Sequence, residues 1–435
     1  MKFPLRLSLW VWPLLAGALA ALIYGLQHRM GIEINADGWA YWQGGQSIAD
    51  GLGYRYFSGD PIVAWPPLYS LYLSTWIKLC GSKALVLNLS NVVLIFLQGV
   101  LWTLVSHYLY GVEQNHAAFR YITTYVGLYV ALTIALYEKE ILAHNLLYTI
   151  LPIFVITTWK KINNWGRLGR YYTIITCCLG ISLVETHISG IVYVAAAACL
   201  FAATPDDCRR DRMVAALVVL AVPLAGWILT AWWLAQIGGH PIEGGRFSFV
   251  ETLLQLSEGT SYFFLPRLGR IIGLIALIVF SGTLLSCFSK LRSNQTSFVI
   301  AFSLIPLFLL AVAFSITWLN GFVSEPRHLL IVPLLVIPIL VSYLVISKTV
   351  GMKAAALLVF LAPVSRTLFW SDSGTSDDFV PIYASISPIP GFGKTLNVNG
   401  KTLVGPIGWE EPEGGYSSSG APRWGSSQRG PAVSR

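Results

Sequence analysis

Charged side chains are scarce in this sequence. Only 11% of its 435 residues are charged, whereas 55% are hydrophobic. Soluble domains carry about 25% charged residues, so the composition excludes an ordinary soluble domain. Runs of about 20 apolar residues, long enough to cross a bilayer, recur along the whole chain. The sequence therefore predicts an all-α polytopic membrane protein.

Several common functional motifs are also absent. The six cysteines form no CxxC pair and no metal-like spacing with histidine, so they are interpreted as small core residues without a disulfide framework. There is no GxGxxG fingerprint, no Walker-type phosphate loop and no internal repeat. The net charge of +8 does not require a nucleic acid partner, because basic residues concentrate on the cytoplasmic loops of membrane proteins.

The apolar runs predict about eleven transmembrane helices. They are expected at 7–27, 84–109, 119–137, 141–159, 171–187, 188–204, 213–236, 268–288, 298–318, 329–347 and 353–370. The first run is longer than a usual signal core, so it is interpreted as an uncleaved helix. The segment Pro67–Cys80 has only about 14 residues, too few to span, and is rich in Tyr and Trp. It is predicted to be an interfacial helix on the same side as Asp37.

The distribution of charge tests this topology. The loops on the N-terminal side contain many basic residues, namely Lys2, Arg6, Arg120, Lys160, Lys161, Arg167, Arg170, Arg209, Arg210, Arg212, Lys290, Arg292, Lys348 and Lys353. The acidic residues on these same loops are only Glu113, Asp206, Asp207 and Asp211. By the positive-inside rule, the N-terminus is cytoplasmic and the acid-rich loops are extracytoplasmic. The protein is therefore expected in the cell (inner) membrane.

The chain divides into a transmembrane part and a tail. Residues 1–370 form the transmembrane part, with a long outer loop at 28–83, and residues 371–435 form a short extracytoplasmic tail. Within the tail, "FGKTLNVNGKTLVGPIGW" has an Asn-Gly turn signal between β-like runs, which favours a hairpin. The Gly/Ser/Pro-rich end, "EGGYSSSGAPRWGSSQRGPAVSR", is predicted to be disordered.

The loop after the first helix combines carboxylates, aromatic rings, glycines and a Trp-Pro-Pro corner. It contains the stretch "DGWAYWQGGQSIADGLGYRYFSGDPIVAWPPLYSL". Asp37 opens a segment with Trp39 and Trp42 one turn apart, which predicts an amphipathic helix. Asp37 is interpreted either as the N-cap of this helix or as a functional carboxylate, and the two roles are compatible.

Other polar residues gather on the same predicted face. Glu138 and Glu140 are interpreted as solvated loop acids. His144 and Asn145 lie inside an apolar run, where a polar pair usually faces a cavity or a partner helix.

Two further groups follow later in the chain. Glu185 and His187 lie where two helices meet, either as functional groups or as a Glu–His pair that closes the hairpin. Arg327 either extends to the membrane edge or holds a phosphate with paired donors. The remaining polar candidates on this face are His240, Glu243, Arg246, Glu325 and His328.

This set of residues suits one kind of substrate. Aromatic rings pack against sugar faces, cations neutralise phosphate, and a carboxylate can take a proton from a hydroxyl. The outer face is therefore predicted to bind a molecule with a lipid tail, a phosphate and a sugar.

The order of these motifs resembles a known family. "ADGWAYWQGGQSIADGLGY", "WPPLYSLYLSTWIKLCGSKALVLNLSNVV", "AHNLLYTILPIF", "LGISLVETHISGIV" and "EPRHLLIVPLLVIP" follow one another as do similar segments of the C-type (GT-C) membrane glycosyltransferases that use polyprenyl-phosphate sugars. Within that family, the chain is similar to the protein O-mannosyltransferase and aminoarabinose transferase group.

The resemblance implies a GT-C-like fold and an inverting transfer of a hexosyl or pentosyl group to an acceptor hydroxyl on the outer face. Asp37 would be the catalytic base, and the segment Pro67–Cys80 would help wall the lipid groove. The implied substrate-binding residues are Arg55, Tyr41, Trp65, Asn145, Glu185, His187, Arg327 and His328. The donor is a co-substrate, the acceptor is a glycan, lipid or protein, and no obligatory metal or other cofactor is expected.

Three positions depart from the family pattern. Asn145 stands where a carboxylate is common, His187 where Arg or Lys is common, and His328 where Tyr is common. The histidine at position 187 would make phosphate binding sensitive to pH.

Two other functions are considered. A polytopic transporter or lipid flippase would show interrupted helices in paired halves with polar residues near mid-membrane, whereas the ionisable residues here collect at one face. A non-catalytic scaffold would function without Asp37. The sequence favours the enzyme.

Overall fold

The computed structural model describes most of the first half of the chain and selected parts of the second. The described residues are 8–29, 31–33, 36–56, 61–62, 65–110, 122–131, 143–165, 167–204, 209–236, 288, 290–291, 295–317, 334–335, 379–381, 388–389, 392–398 and 401–404.

The described elements are mainly helices. In chain order they are α1 (Ser8–Gln27), α2 (Ala36–Ala49), α3 (Leu68–Cys80), α4 (Ala84–Tyr110), α5 (Ile122–Ala131), α6 (Ala143–Asn163), α7 (Arg167–Thr186), α8 (Gly190–Ala203), α9 (Arg209–Gln236) and α10 (Gln295–Thr317). Apart from α2 and α3, each coincides with a predicted span. The predicted spans at 268–288, 329–347 and 353–370 lie largely or wholly outside the described residues.

Three described helices are long and apolar enough to cross a bilayer. They contain the segments Trp10–Gln27, Ala84–Leu109 and Arg209–Thr230. In the α4 segment 61% of the residues are buried, against 28% in α1 and 22% in α9. Helix α4 is therefore central, packed against α1 and α6, whereas α1 and α9 are peripheral. The total of about eleven spans stays a prediction.

The peripheral helices turn large apolar side chains outward. On α1, Leu22 is 59% exposed, and on α9, Leu229 and Trp232 are 64% and 61% exposed. Contiguous apolar surface of this kind is unfavourable in water but suits contact with lipid chains. The described part of the chain is thus a helical membrane protein.

Small residues allow α1, α4 and α5 to pack closely. A Cβ built on Gly99 of α4 would lie 2.8 Å from the Cα of Gly17 and 2.9 Å from the carbonyl oxygen of Ala16. A Cβ on Gly127 of α5 would also lie 2.9 Å from that oxygen. Contacts this short leave no room for a side chain, a common solution for packing helices in membranes.

Helix α3 confirms the predicted short helix before the second span. Its 13 residues extend about 20 Å, less than the hydrocarbon thickness of about 30 Å. Tyr69, Leu73 and Ile77 are buried along one stripe, whereas Leu71 and Leu79 are exposed. One face therefore packs on the protein while the other presents apolar side chains outward, as expected for a helix in the membrane interface.

Short strands accompany the helices. Strand β1 (Gly31–Glu33) pairs antiparallel with β2 (Phe379–Pro381) from the tail. Strands β3 (Pro388–Ile389), β4 (Phe392–Val398) and β5 (Lys401–Val404) form an antiparallel sheet in the order β3-β4-β5. Val398 pairs with Lys401, so the predicted hairpin is confirmed, with Asn-Gly as its two-residue connection.

Candidate functional site

Helix α2 carries Asp37 at its start. The helix begins at Ala36, so Asp37 lies within the first turn rather than ahead of it, and it is half-buried. A carboxylate is favourable there because the first turn is the positive end of the helix dipole. Residues 38–47 are all buried, which corrects the expectation of a surface-lying amphipathic helix.

Two adjacent glycines explain how α2 becomes enclosed. A Cβ on Gly44 would overlap the ring of Tyr54. A Cβ on Gly45 would lie 3.1 Å from Leu73 Cβ and 3.2 Å from the Ser70 carbonyl oxygen of α3. The glycines thus let the loop approach one side of α2 and let α3 approach the other.

Tyr54 holds the Trp-Pro-Pro corner in place. Its hydroxyl donates to the carbonyl oxygen of Trp65 at 3.1 Å and lies 3.5 Å from that of Pro66. Burial raises the pKa of the Tyr54 hydroxyl, so it keeps its proton and acts as a donor. This bond fixes the point where the chain enters α3.

A buried network of amides and phenols joins α1, α3, α4 and α6. Tyr69 donates to Asn91 Oδ1 at 3.1 Å, and Asn145 Nδ2 approaches the same oxygen at 3.4 Å. Asn91 Nδ2 lies 3.5 Å from the Tyr24 hydroxyl, and Gln98 Nε2 donates to the Asn145 carbonyl oxygen at 2.8 Å. We call these five side chains the amide network.

One acceptor of the amide network has no hydrogen-bond partner among the described residues. Asn145 is 1% exposed, and its Oδ1 makes no hydrogen bond within the part of the chain that the structure describes. A buried polar atom without a partner is costly, so it usually binds water or a ligand. Asn145 is therefore suited to accept a hydrogen bond from a bound molecule.

Two histidine rings meet beside the amide network. The rings of His144 in α6 and His187 after α7 have centroids 4.2 Å apart and planes inclined by 47°. The backbone N–H of Ser189 donates to His187 Nδ1 at 3.2 Å, and Ser189 Oγ lies 2.8 Å from the same nitrogen. The Nδ1 atom therefore acts as an acceptor, which assigns the proton of the neutral ring to Nε2. We call His144 and His187 the imidazole pair.

Glu185 turns toward a different helix. Thr230 of α9 donates to Glu185 Oε1 at 2.8 Å. The contacts described for His187 are instead with His144 and Ser189. These contacts assign the two residues to different helix neighbours, α9 for Glu185 and α6 for His187.

The other predicted site residues are distributed around α2 and α3. Tyr41 is buried, and its ring meets that of Tyr69 edge-on with the centroids 5.2 Å apart. The backbone carbonyl oxygen of Tyr41 accepts a hydrogen bond from Ser70 Oγ. Trp65 is half-buried and Arg55 is exposed. Further candidates lie outside the described residues, namely Glu138, Glu140, His240, Glu243, Arg246, Glu325, Arg327 and His328.

The aromatic core of the first loop brings these parts together. Tyr41, Trp42 and Tyr69 belong to one buried cluster with Ala143 and with Leu87 of α4. Because Ala143 directly precedes His144 and Asn145, one buried cluster includes residues of the helix that carries Asp37 and of the first turn of α6. Sequence reasoning had named Asn145 and His187 as binding residues but had not given His144 that role.

Comparisons with known proteins add little. No family model matches the chain, and no curated protein matches it. The crystal structure of the Archaeoglobus fulgidus oligosaccharyltransferase, in complex with zinc and sulfate, has a TM-score of 0.46 and 13% sequence identity to this chain. The match covers 82% of this chain and 52% of that one, so this chain spans about half the length of that enzyme. A TM-score below 0.5 does not establish a common fold, and the function has to be argued from the site itself.

Proposed function

We propose that the protein is an inverting glycosyltransferase of the cell membrane. It would move a hexosyl or pentosyl group from a polyprenyl-phosphate donor to an acceptor hydroxyl on the outer face. One observation carries the proposal. Helix α2, with Asp37 in its first turn, shares a buried aromatic cluster with Ala143, which begins the helix that bears His144 and Asn145. A carboxylate, imidazoles, amides and aromatic rings thus belong to one packed region.

Asp37 is the base in this proposal. Its carboxylate takes the proton of the acceptor hydroxyl while that oxygen attacks the anomeric carbon. The bond between the anomeric carbon and the phosphate oxygen breaks on the opposite face of the sugar, so the configuration inverts. The half-buried position of Asp37 suits a group that must meet an acceptor arriving from solvent.

The imidazole pair receives the leaving phosphate. An imidazole N–H stabilises the negative charge that develops on the lipid phosphate as it leaves. Ser189 orients His187 through Nδ1, so the ring carries its proton on Nε2, and in this proposal that N–H donates to the phosphate. Arg327 and His328 remain the predicted additional phosphate ligands, with Arg55 as a further one.

The sugar and the lipid are assigned to two other features. The unpartnered Oδ1 of Asn145 accepts a sugar hydroxyl, while Tyr41 and Trp65 are the predicted aromatic partners of the sugar. The exposed apolar face of α3 forms one wall for the polyprenyl chain. Because α3 contacts α7, that wall lies next to the helix that leads to His187.

The pairing of β1 with β2 supports the predicted topology. Strand β1 follows the first span directly, and β2 follows the last predicted span. Their contact requires both segments to lie on one side of the membrane. The predicted outer loop and the predicted extracytoplasmic tail meet this requirement.

Transfer assays with a matched carboxylate control test the proposal. Membranes with wild type, Asp37→Asn or Asp50→Asn at equal levels would be supplied with radiolabelled polyprenyl-phosphate sugars and cell-envelope acceptors. Asp50 directly follows the same helix, is exposed and accepts bonds from Gln46, so Asp50→Asn should retain activity. Asp37→Asn should lose about 10²- to 10⁴-fold in transfer rate while donor still binds. Transfer by Asp37→Asn at the rate of the wild type and of Asp50→Asn would exclude Asp37 as the base.

A lipid flippase or transporter is the second candidate, favoured by one observation. Buried polar residues occur along α4 from its outer to its inner end, namely Asn88, Ser90, Asn91, Gln98, Thr103, Ser106 and His107. Buried polar groups within a span often line a substrate path. Movement of labelled lipid across vesicles that hold the purified protein, with no sugar transfer from any donor, would favour this function over the enzyme.

A further inference from the structure

Strand β2 from the tail is bound to the loop that carries Asp37. Gly31 pairs with Pro381, Ile32 with Val380, and Glu33 with Phe379. The paired segment ends at Glu33, and α2 begins at Ala36. The two strands come from opposite ends of the sequence, so the contact does not follow from local chain geometry.

Strand β1 lies between two fixed points. On its N-terminal side, Asn88 Nδ2 of α4 donates to the carbonyl oxygen of His28 at 3.3 Å. On its C-terminal side, α2 is packed against α3. Strand β1 also contacts α4, and β2 supplies partners to its backbone groups, which need hydrogen bonds.

We propose that β2 is a positioning element of the outer-face site, which holds the start of α2 and therefore the Asp37 carboxylate in place. The tail is then a structural part of the first outer loop. The catalytic consequence rests on the proposed function, whereas the pairing and its effect on position 37 can be measured without any activity.

A disulfide cross-link tests the pairing. Directly opposed residues of antiparallel strands have Cα atoms about 4.5–5.5 Å apart, which suits a disulfide. Ile32→Cys and Val380→Cys would be combined in a background whose native cysteines are replaced by serine, with a protease site inserted after Trp370. After cleavage, the tail should remain attached only under non-reducing conditions.

The control pair is Ile32→Cys with Ile389→Cys, since Ile389 pairs with Phe392 in the other sheet, and it should release the tail. Release of the tail in both pairs would overturn the proposal.

Chemical labelling tests the positioning. Asp37→Cys and Leu52→Cys would each be labelled with a membrane-impermeant maleimide in the full chain and in a chain that ends at Trp370. Loss of β2 should change the labelling rate at position 37 roughly 10-fold or more. The rate at Leu52, which is 67% exposed, should stay the same and controls for access of the reagent. Ser74→Cys, at a position that is 6% exposed, should remain unlabelled in both chains, which shows that the shortened chain is folded. An unchanged rate at position 37 would overturn the proposal even if the cross-link forms.

A point variant repeats the test with the full chain. Val380→Pro removes a backbone N–H in the middle of β2 and is poorly tolerated in a strand, whereas Ala384→Pro lies beyond it. Val380→Pro should reproduce the labelling change, and Ala384→Pro should not. If the protein transfers sugars, Val380→Pro should lower turnover roughly 10- to 100-fold, as expected for a displaced catalytic group. A labelling change without a change in turnover would reject Asp37 as the base but leave the positioning role intact.

Discussion

The two ends of α6 use aromatic and basic side chains differently. At its first turn, His144 packs on the ring of His187, and Asn145 joins the amide network. At its last turn, Lys160 Nζ lies 5.3 Å from the ring centroid of Tyr108, and Lys161 Nζ lies 4.2 Å from that of Trp165. The first end offers titratable rings and an unpartnered acceptor, whereas the last end places cations over aromatic faces.

This difference indicates that the two ends of α6 have different roles, with substrate binding at the first end and anchoring of the helix at the last. The cations at the last turn already have cation–π partners, which stabilise them near the membrane edge. The acceptor at the first turn, Asn145 Oδ1, has no partner among the described residues and is suited to bind water or a bound molecule. We therefore expect variants at the first end to change transfer, and variants at the last end to change only stability.

Among the variants that compare the two ends of α6, the largest effect is expected from His187→Ala, which removes the ring that packs on His144. Loss of one donor to a developing negative charge typically lowers the rate by about 10²- to 10³-fold. Transfer from the polyprenyl-phosphate donor should fall by that order, while the thermal unfolding midpoint in detergent should change little because His187 is not fully buried.

His187→Gln is the matched variant because its side-chain amide keeps an N–H donor. Transfer by His187→Gln should fall less than transfer by His187→Ala, since a donor to the phosphate can still be present. An equal loss of transfer in both variants would show that His187 does not act as a hydrogen-bond donor to the phosphate.

A second prediction concerns the close packing of the first loop. Gly44→Val would place a side chain against the ring of Tyr54, and overpacking of this kind costs about 1–3 kcal/mol. The unfolding midpoint should drop, and transfer should fall because α2 carries Asp37. Gly25→Val is the control, because Gly25 is also helical but has nothing within 4 Å of its Cβ position. Equal stability of the two variants would mean that α2 does not pack as closely as described.

Local signals predicted much of this structure, whereas contacts between distant segments did not follow from them. Hydrophobic run lengths gave the described spans, the length of Pro67–Cys80 gave α3, and the Asn-Gly pair gave the β4–β5 hairpin. The burial of α2 on every side was missed, because Gly44 and Gly45 reveal a close approach only when Tyr54 and α3 are in place. The pairing of β1 with β2 was missed for the same reason, since three-residue strands carry little pattern of their own.

The smallest effect is expected at the last end of α6. Lys161 is 3% exposed, and its cation lies over Trp165, a contact worth about 0.5–2 kcal/mol. Lys161→Met keeps the aliphatic stem but removes the charge, so the unfolding free energy should fall by about that amount. Lys160→Met should cost less, because Lys160 is half-buried and its ammonium lies farther from the rings of Tyr108 and Tyr172. Both variants should transfer sugar at the wild-type rate once expression is matched. A large loss of transfer in Lys161→Met at unchanged stability would mean that the last end of α6 also belongs to the site. The claim that only the first end takes part in transfer would then be wrong.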